Sequence, residues 1–237
     1  MHLNAGLQSI DLSEFSINGN RLVSESGILP VIGLQIDTDL DSRWLLFAYA
    51  NYSRGDLDYD GHLQSGSPYR SSTATEISTY GVSLKSPLGG KVLNAEHSLL
   101  LGFEYERWRR QIAGSHSVSE LTEKYDSPSI FVGLNSEWPS FESSLIAAYR
   151  YNSTMDLDLS DQAYGSIELP DSLVIRLHLE KPLLKRLSAN LSVQYAQTTR
   201  SSSYPLYASS DSSLIGNIIQ PEHSKSSIAF YLSYLID

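Results

Sequence analysis

The sequence contains no cysteine, so neither a disulfide framework nor a thiolate metal site can form. Charge is sparse: 19% of residues are Asp, Glu, Lys or Arg, against roughly 25% in an average soluble domain. Cations are the scarcer kind. Seventeen Lys and Arg against 27 Asp and Glu leave a net charge of −10. That balance argues against nucleic acid as a partner, because such binding rests on neutralising phosphates. Long apolar runs are absent as well. The longest, Trp44 to Ala50, has seven residues, well short of the ~20 that a membrane helix needs. The opening residues MHLNAGLQSIDL lack the basic and apolar regions of a secretion signal, which says nothing about export of a mature chain.

What the chain has in excess is serine, 41 of 237 residues, and tyrosine, 15 against 6 phenylalanines. That palette suits short half-buried strands and is poor for helices. Period-two alternation then sets the secondary structure. In Ser172–Lys181, Leu173, Ile175, Leu177 and Leu179 share one face, while Val174, Arg176, His178 and Glu180 share the other. A helix would scatter those charges around its circumference, whereas a strand separates them. The split recurs at Leu99–Glu106, Leu145–Asn152, Ile28–Asp37 and Ile228–Ile236. Asn18-Gly19 is a two-residue hairpin signal. Short turns are expected at 37–42, 87–91, 137–140 and 182–186, alternating with longer polar stretches at 61–73, 113–124, 160–170 and 201–225. The pattern predicts ten strands, at 3–17, 21–37, 43–60, 74–86, 94–111, 125–136, 141–158, 171–181, 187–200 and 224–236. No composition break divides the chain, so residues 1–237 are expected to form one domain. Asp11 is an anomaly, since it lands on the otherwise apolar side of the first strand.

An even strand number, short turns at one end, longer loops at the other, and apolar faces that end in tyrosine point to an all-β fold. The expected architecture is a ten-stranded antiparallel transmembrane β-barrel with short periplasmic turns and longer external loops. Segments such as GLQIDTDLDSRWLLFAYANYS and SSIAFYLSYLI resemble barrel hairpins and a closing strand. In strand and loop order the whole chain resembles bacterial outer-membrane β-barrels, specifically the ten-strand omptin proteases. Its end, Leu235-Ile236-Asp237, departs from the terminal aromatic usual in such barrels. The resemblance implies a bacterial outer-membrane location, with membrane lipid and lipopolysaccharide as partners, and the chain is expected to be a monomer.

The resemblance also implies catalytic Asp-Asp and Asp-His pairs on opposite walls above the barrel. Asp56 and Asp58, beside His62, stand where the acidic pair would be. The second acidic comb, Asp156, Asp158 and Asp161, adjoins the opposite loop, but no histidine occurs between Met155 and Ser172. The base needed to activate water is therefore missing, and a non-enzymatic barrel is expected. The alternatives are a divergent omptin-like hydrolase and a soluble β-barrel binding an apolar ligand.

Other residues carry candidate chemistry. Asp56, Asp58, Asp60 and Gly61 match the first half of a calcium loop, although its twelfth position is Ser67 instead of a bidentate glutamate. Calcium is thus the candidate metal, against the plainer reading of a protruding strand that alternates acid with Leu57 and Tyr59. His116, Ser117, Ser119 and Glu120 have the residue types of a lipid hydrolase, but they fall in a polar loop. Arg107, Arg109 and Arg110 form a basic cluster suited to lipopolysaccharide phosphates or to salt bridges with the acidic combs. Parity assigns Arg54, Glu104, Arg150 and Arg176 to the lumen, where they either cross-link into a plug or line a narrow wet pore. A structural or surface protein and a narrow channel both remain open at this point, with a mostly filled lumen favoured.

Overall fold

The computed structural model describes residues 1–41, 43–62, 67–115, 118–160 and 162–236. Its strands are β1 (His2–Phe15), β2 (Arg21–Asp39), β3 (Leu45–His62), β4 (Pro68–Val92), β5 (Ala95–Ile112), β6 (Leu121–Trp138), β7 (Phe141–Arg150), β8 (Thr154–Leu159), β9 (Ala163–Glu168), β10 (Ser172–Leu184), β11 (Leu187–Thr198), β12 (Tyr204–Ala208), β13 (Leu214–Ile218) and β14 (Glu222–Leu235). Ten of them close a barrel in the order β1-β2-β3-β4-β5-β6-β7-β10-β11-β14, with β14 pairing back onto β1 from His2↔Leu235 to Phe15↔Glu222. Closure leaves no ladder edge in the ten-stranded part, the condition for a sheet to stand in hydrocarbon.

The remaining four strands extend one end of the wall. The long strand expected at 141–158 is interrupted at Tyr151–Ser153, where Asn152 adopts a left-handed backbone (φ 48°). Beyond that break β8 continues along β6 and turns back as β9. The polar stretches expected as loops at 160–170 and 201–225 thus hold β9, β12 and β13, and β12 docks on β9. The turn expected at 87–91 also moves. Pro87 to Lys91 is a register shift inside a longer hairpin, and the reversal is made by Leu93 (φ 52°) and Asn94 (φ 64°). Two successive left-handed residues define the tight hairpin turn that matches strand twist.

Around the barrel the outward side chains form one apolar belt. Leu7, Ile28, Ile32, Val82, Leu101, Ile130, Leu145, Leu173, Leu177, Val193 and Phe230 are all exposed on it. On β2 the belt runs from Ile28 to Ile36, about 27 Å along the strand at ~3.4 Å per residue. At a strand tilt of ~40° this spans about 21 Å along the membrane normal, slightly less than the ~25 Å apolar band of outer-membrane barrels. Tyr52, Tyr80, Tyr105, Tyr149 and Tyr195 edge the belt on the long-loop side. Trp138 and Phe141, stacked with ring centroids 5.6 Å apart, lie at the short-turn rim.

Beyond the tyrosines the two faces exchange character. On β1 the outward positions become Ser9 and Asp11, both exposed, while Ile10 and Leu12 turn inside and are buried. The Asp11 anomaly is that exchange: the strand has left the membrane, and water, not lipid, meets its outer face. An exposed apolar belt around a polar interior is the reverse of a water-soluble barrel. The soluble apolar-ligand reading is corrected on that ground.

Candidate functional site

The site is the barrel interior, which divides into three levels. At the external level the inward residues are large and apolar. Ile10, Leu12, Leu29, Leu57, Ile77, Trp108, Tyr125, Met155, Ile167 and Leu169 form one buried cluster drawn from eight strands. Within it lies Arg110, 1% exposed. Its Nη1 donates to Glu14 Oε1 at 3.0 Å and Glu123 Oε2 at 2.6 Å, and its Nη2 to Glu25 Oε1 at 2.7 Å. Thr73 donates to Glu25 at 2.9 Å and Tyr125 to Glu123 at 2.8 Å. Three carboxylates around one guanidinium leave excess negative charge. Burial pushes the Glu14 carboxyl up to about 7, with Glu123 and Glu25 adding to the shift against the pull of Arg110.

At the middle level, Glu106 accepts from Arg150 at 2.9 Å and from Lys225 at 3.2 Å. The Lys225 ammonium also sits 4.3 Å from the Trp108 ring centroid, tying this level to the apolar one above. Just below, Arg176 grips Glu104 with both terminal nitrogens at 2.9 and 3.0 Å, and Tyr49 donates to the same carboxylate at 2.6 Å. The Tyr49 ring lies over Gly81, where any Cβ would come within 2.2 Å of it. Glycine at that position is what lets the phenol reach across the lumen.

The third level is a cavity of about 290 Å³ running from Glu106 and Lys225 down to Lys85 and Glu142 near the short-turn rim. There Lys85 meets Glu137 at 2.5 Å and Glu142 at 3.2 Å. The interior is thus closed towards the long loops and hollow towards the short turns.

Of the residues assigned to the lumen, Glu104, Arg150 and Arg176 are there, but Arg54 is not. Arg54 is exposed on the outer face of β3, opposite Glu76 and two positions beyond Tyr52. The error has a physical source: Leu45 to Ala50 is apolar on both faces, so parity in β3 cannot be read from hydropathy. The basic cluster is split in the same way. Arg107 and Arg109 are exposed outside, with Arg107 Nε 3.0 Å from Asp126 Oδ1, whereas Arg110 is at the heart of the plug. Alternation along β5 carried that signal, because Arg110 shares the face of Glu104, Glu106 and Trp108. Glu14, Glu25 and Lys225 become partners only through barrel closure, whereas Glu123 lies directly across the β5–β6 ladder from Arg110.

Asp56, Asp58 and Asp60 alternate along the outer face of β3, and Gly61 continues the ladder opposite Tyr69. The turn that a calcium loop requires is replaced by an extended strand, which holds successive outward carboxylates nearly 7 Å apart. Among the described residues, no three His, Cys, Asp or Glu side chains converge as a metal cluster. Asp156 and Asp158 are likewise exposed, with Asp156 opposite Lys124, so the two combs do not face one another across a cleft. His62 is exposed, its Nδ1 3.3 Å from the Leu22 carbonyl. An Asp–His contact among the described residues, His2 Nε2 to Asp37 Oδ1 at 3.4 Å, lies at the short-turn rim. His116, Ser117 and Asp161 lie outside the described residues. Ser119 and Glu120 accept from the Gln162 and Gln111 amides at 2.8 and 2.7 Å.

A closed sheet with a lipid-facing belt, a tyrosine edge and a polar lumen defines a bacterial outer-membrane β-barrel of ten strands. No protein-family model matches the chain, and a search of curated proteins gives no match. Among solved structures the chain is similar to the outer membrane protease OmpT from Escherichia coli, at 11% identity and a TM-score of 0.58, covering 99% of this chain and 97% of that one. It is also similar to the transport unit of the autotransporter AIDA-I from Escherichia coli, at 10% identity and a TM-score of 0.52, covering 100% and 91%. At such identities the likeness is one of fold.

Proposed function

We propose that the chain is a non-enzymatic outer-membrane barrel, a structural or surface protein and not a through-channel. The observation that carries this reading is the ten-residue apolar cluster around Arg110, which occupies the lumen where a pore would need water. Ions could pass only by displacing packed side chains and the buried ion network, and both are costly. Closure of β14 on β1 within one chain supports a monomer. Arg107 and Arg109 project outward just beyond Tyr105, at the depth of lipid headgroups, which supports pairing with lipopolysaccharide phosphates. Arg110, fully engaged inside, is not part of that contact. The protease activity for which OmpT is named does not carry over, because the acidic residues that would serve it point away from any shared cleft.

Planar-bilayer recording tests the reading. Purified wild-type barrel is expected to insert without discrete conductance steps. A double variant that hollows the plug, Leu57→Ala with Trp108→Ala, is expected to conduct. Stable single-channel openings of the wild type would refute the closed lumen.

A further inference from the structure

The hollow third of the lumen has the attributes of a binding site. It is concave and reached from the short-turn rim, and its roof is the fixed Glu104–Arg176 and Glu106–Lys225 pairs. At about 290 Å³ it lies just below the ~300–1,000 Å³ typical of ligand pockets, a size for a small ligand. About half of its lining residues are uncharged and polar, among them Asn51, Thr79, Asn135 and Gln194 on different strands. Asn135 is 1% exposed, and its Oδ1 accepts from Ser144 at 2.7 Å, yet its Nδ2 has no hydrogen-bond partner. A buried amide left without a partner is unfavourable, so an acceptor brought to it by a ligand would be favoured.

Charge narrows the ligand class. Within the cavity each cation is already neutralised: Arg176 by Glu104, Lys225 by Glu106 and Lys85 by Glu137 and Glu142. No free cation is left among these to draw an anion, and Glu180 adds another carboxylate opposite Glu142 at the rim. On the same wall Tyr231 and His178 stack, with ring centroids 6.1 Å apart and planes at 23°, giving a flat apolar platform among the polar groups. Amides and hydroxyls beside an aromatic face suit a molecule with hydroxyls around its edge and C–H bonds on its face. We propose that the cavity binds a neutral sugar of one or two rings from the periplasmic side. This goes beyond the surface role above and stands whether or not the plug can be made to conduct.

The test is saturation-transfer NMR with calorimetry on the folded barrel, in a detergent without a sugar headgroup. The probes are N-acetylglucosamine, maltose, glucuronate and glucosamine. A neutral probe is expected to saturate below about 10 mM, with both charged sugars at least tenfold weaker. Asn135→Ala and Tyr231→Ala should each weaken the neutral probe about tenfold. Ser192→Trp, which fills the cavity from a small lumen-facing position, should abolish binding while the protein keeps the heat-sensitive gel mobility of a folded barrel. If no neutral probe saturates on the wild type, the proposal is overturned. It is equally overturned if glucuronate or glucosamine binds more tightly, or if folded Ser192→Trp binds as the wild type does.

Discussion

Replacing Arg110 by methionine removes the cation that Glu14, Glu25 and Glu123 share at the plug. The arginine is 1% exposed and Glu25 is fully buried, so solvent cannot replace the lost interactions. Removing one partner from a buried ion network costs roughly 3–5 kcal/mol. The upper part of that range applies here, because three carboxylates lose their shared donor at once. Each can escape only by taking up a proton, so the penalty must depend on pH. At pH 8 protons are scarce, the stranded negative charge must be either buried or neutralised at a cost, and the loss is largest. At pH 5 protons are available to relieve it, and the loss should fall by at least half. Urea unfolding of the refolded barrel in phospholipid vesicles at both pH values measures this directly. Adding Glu25→Gln and Glu123→Gln to Arg110→Met should recover most of the stability at pH 8. A cost below about 1 kcal/mol at pH 8, or one equal at the two pH values, would refute a buried ionic plug.

In the wild type, the Glu14 carboxyl is near 7 in the folded state against an ordinary 4.5. Its contribution is therefore fully present below about 4.5 and is lost as pH rises through about 7, amounting to at most about 3 kcal/mol. Glu14→Gln should flatten the stability profile in that window, and an unchanged slope would contradict the assignment. Leu177→Arg puts a charge on the lipid belt and should cost roughly 2–4 kcal/mol, whereas His178→Ala, one residue along in the lumen, should cost under about 1 kcal/mol. Equal damage from the two in vesicle unfolding would invert the inside and outside of the barrel. For calcium, the spread of Asp56, Asp58 and Asp60 along a strand predicts weak association screened by salt. Calorimetry at physiological ionic strength should give the same small heat for wild type and Asp58→Asn, and a saturable wild-type isotherm lost in the variant would restore a true metal site.

Strand number, closure and the lipid-facing residues of β5, β7, β10 and β14 were legible in the sequence, because there large aliphatics alternate with small or polar partners. The parity of β3 was not, since Leu46 and Phe47 are both apolar yet point in opposite directions. β8 was read as the end of one long strand, while β9, β12 and β13 were read as loops, because five- and six-residue strands set among polar and turn-forming residues resemble connectors. The exchange of faces above the tyrosines left one visible trace, Asp11 on an apolar side, and its meaning needed the register of the neighbours. Residues of the interior networks are widely separated in sequence, such as Glu106 and Lys225 or Glu25 and Arg110. They meet only because the sheet closes, and a single strand carries no sign of the partner across the lumen.

Closure of the lumen from one side only can be measured by single-cysteine labelling, which the absence of native cysteine makes clean. Thr79 lines the cavity two residues from Ile77 of the plug. Thr79→Cys in oriented vesicles is expected to react with a membrane-impermeant maleimide applied at the short-turn side. It should stay unreactive from the long-loop side, where an Arg54→Cys control labels readily. Equal labelling of Thr79→Cys from both sides would mean a continuous channel and would contradict the plugged barrel.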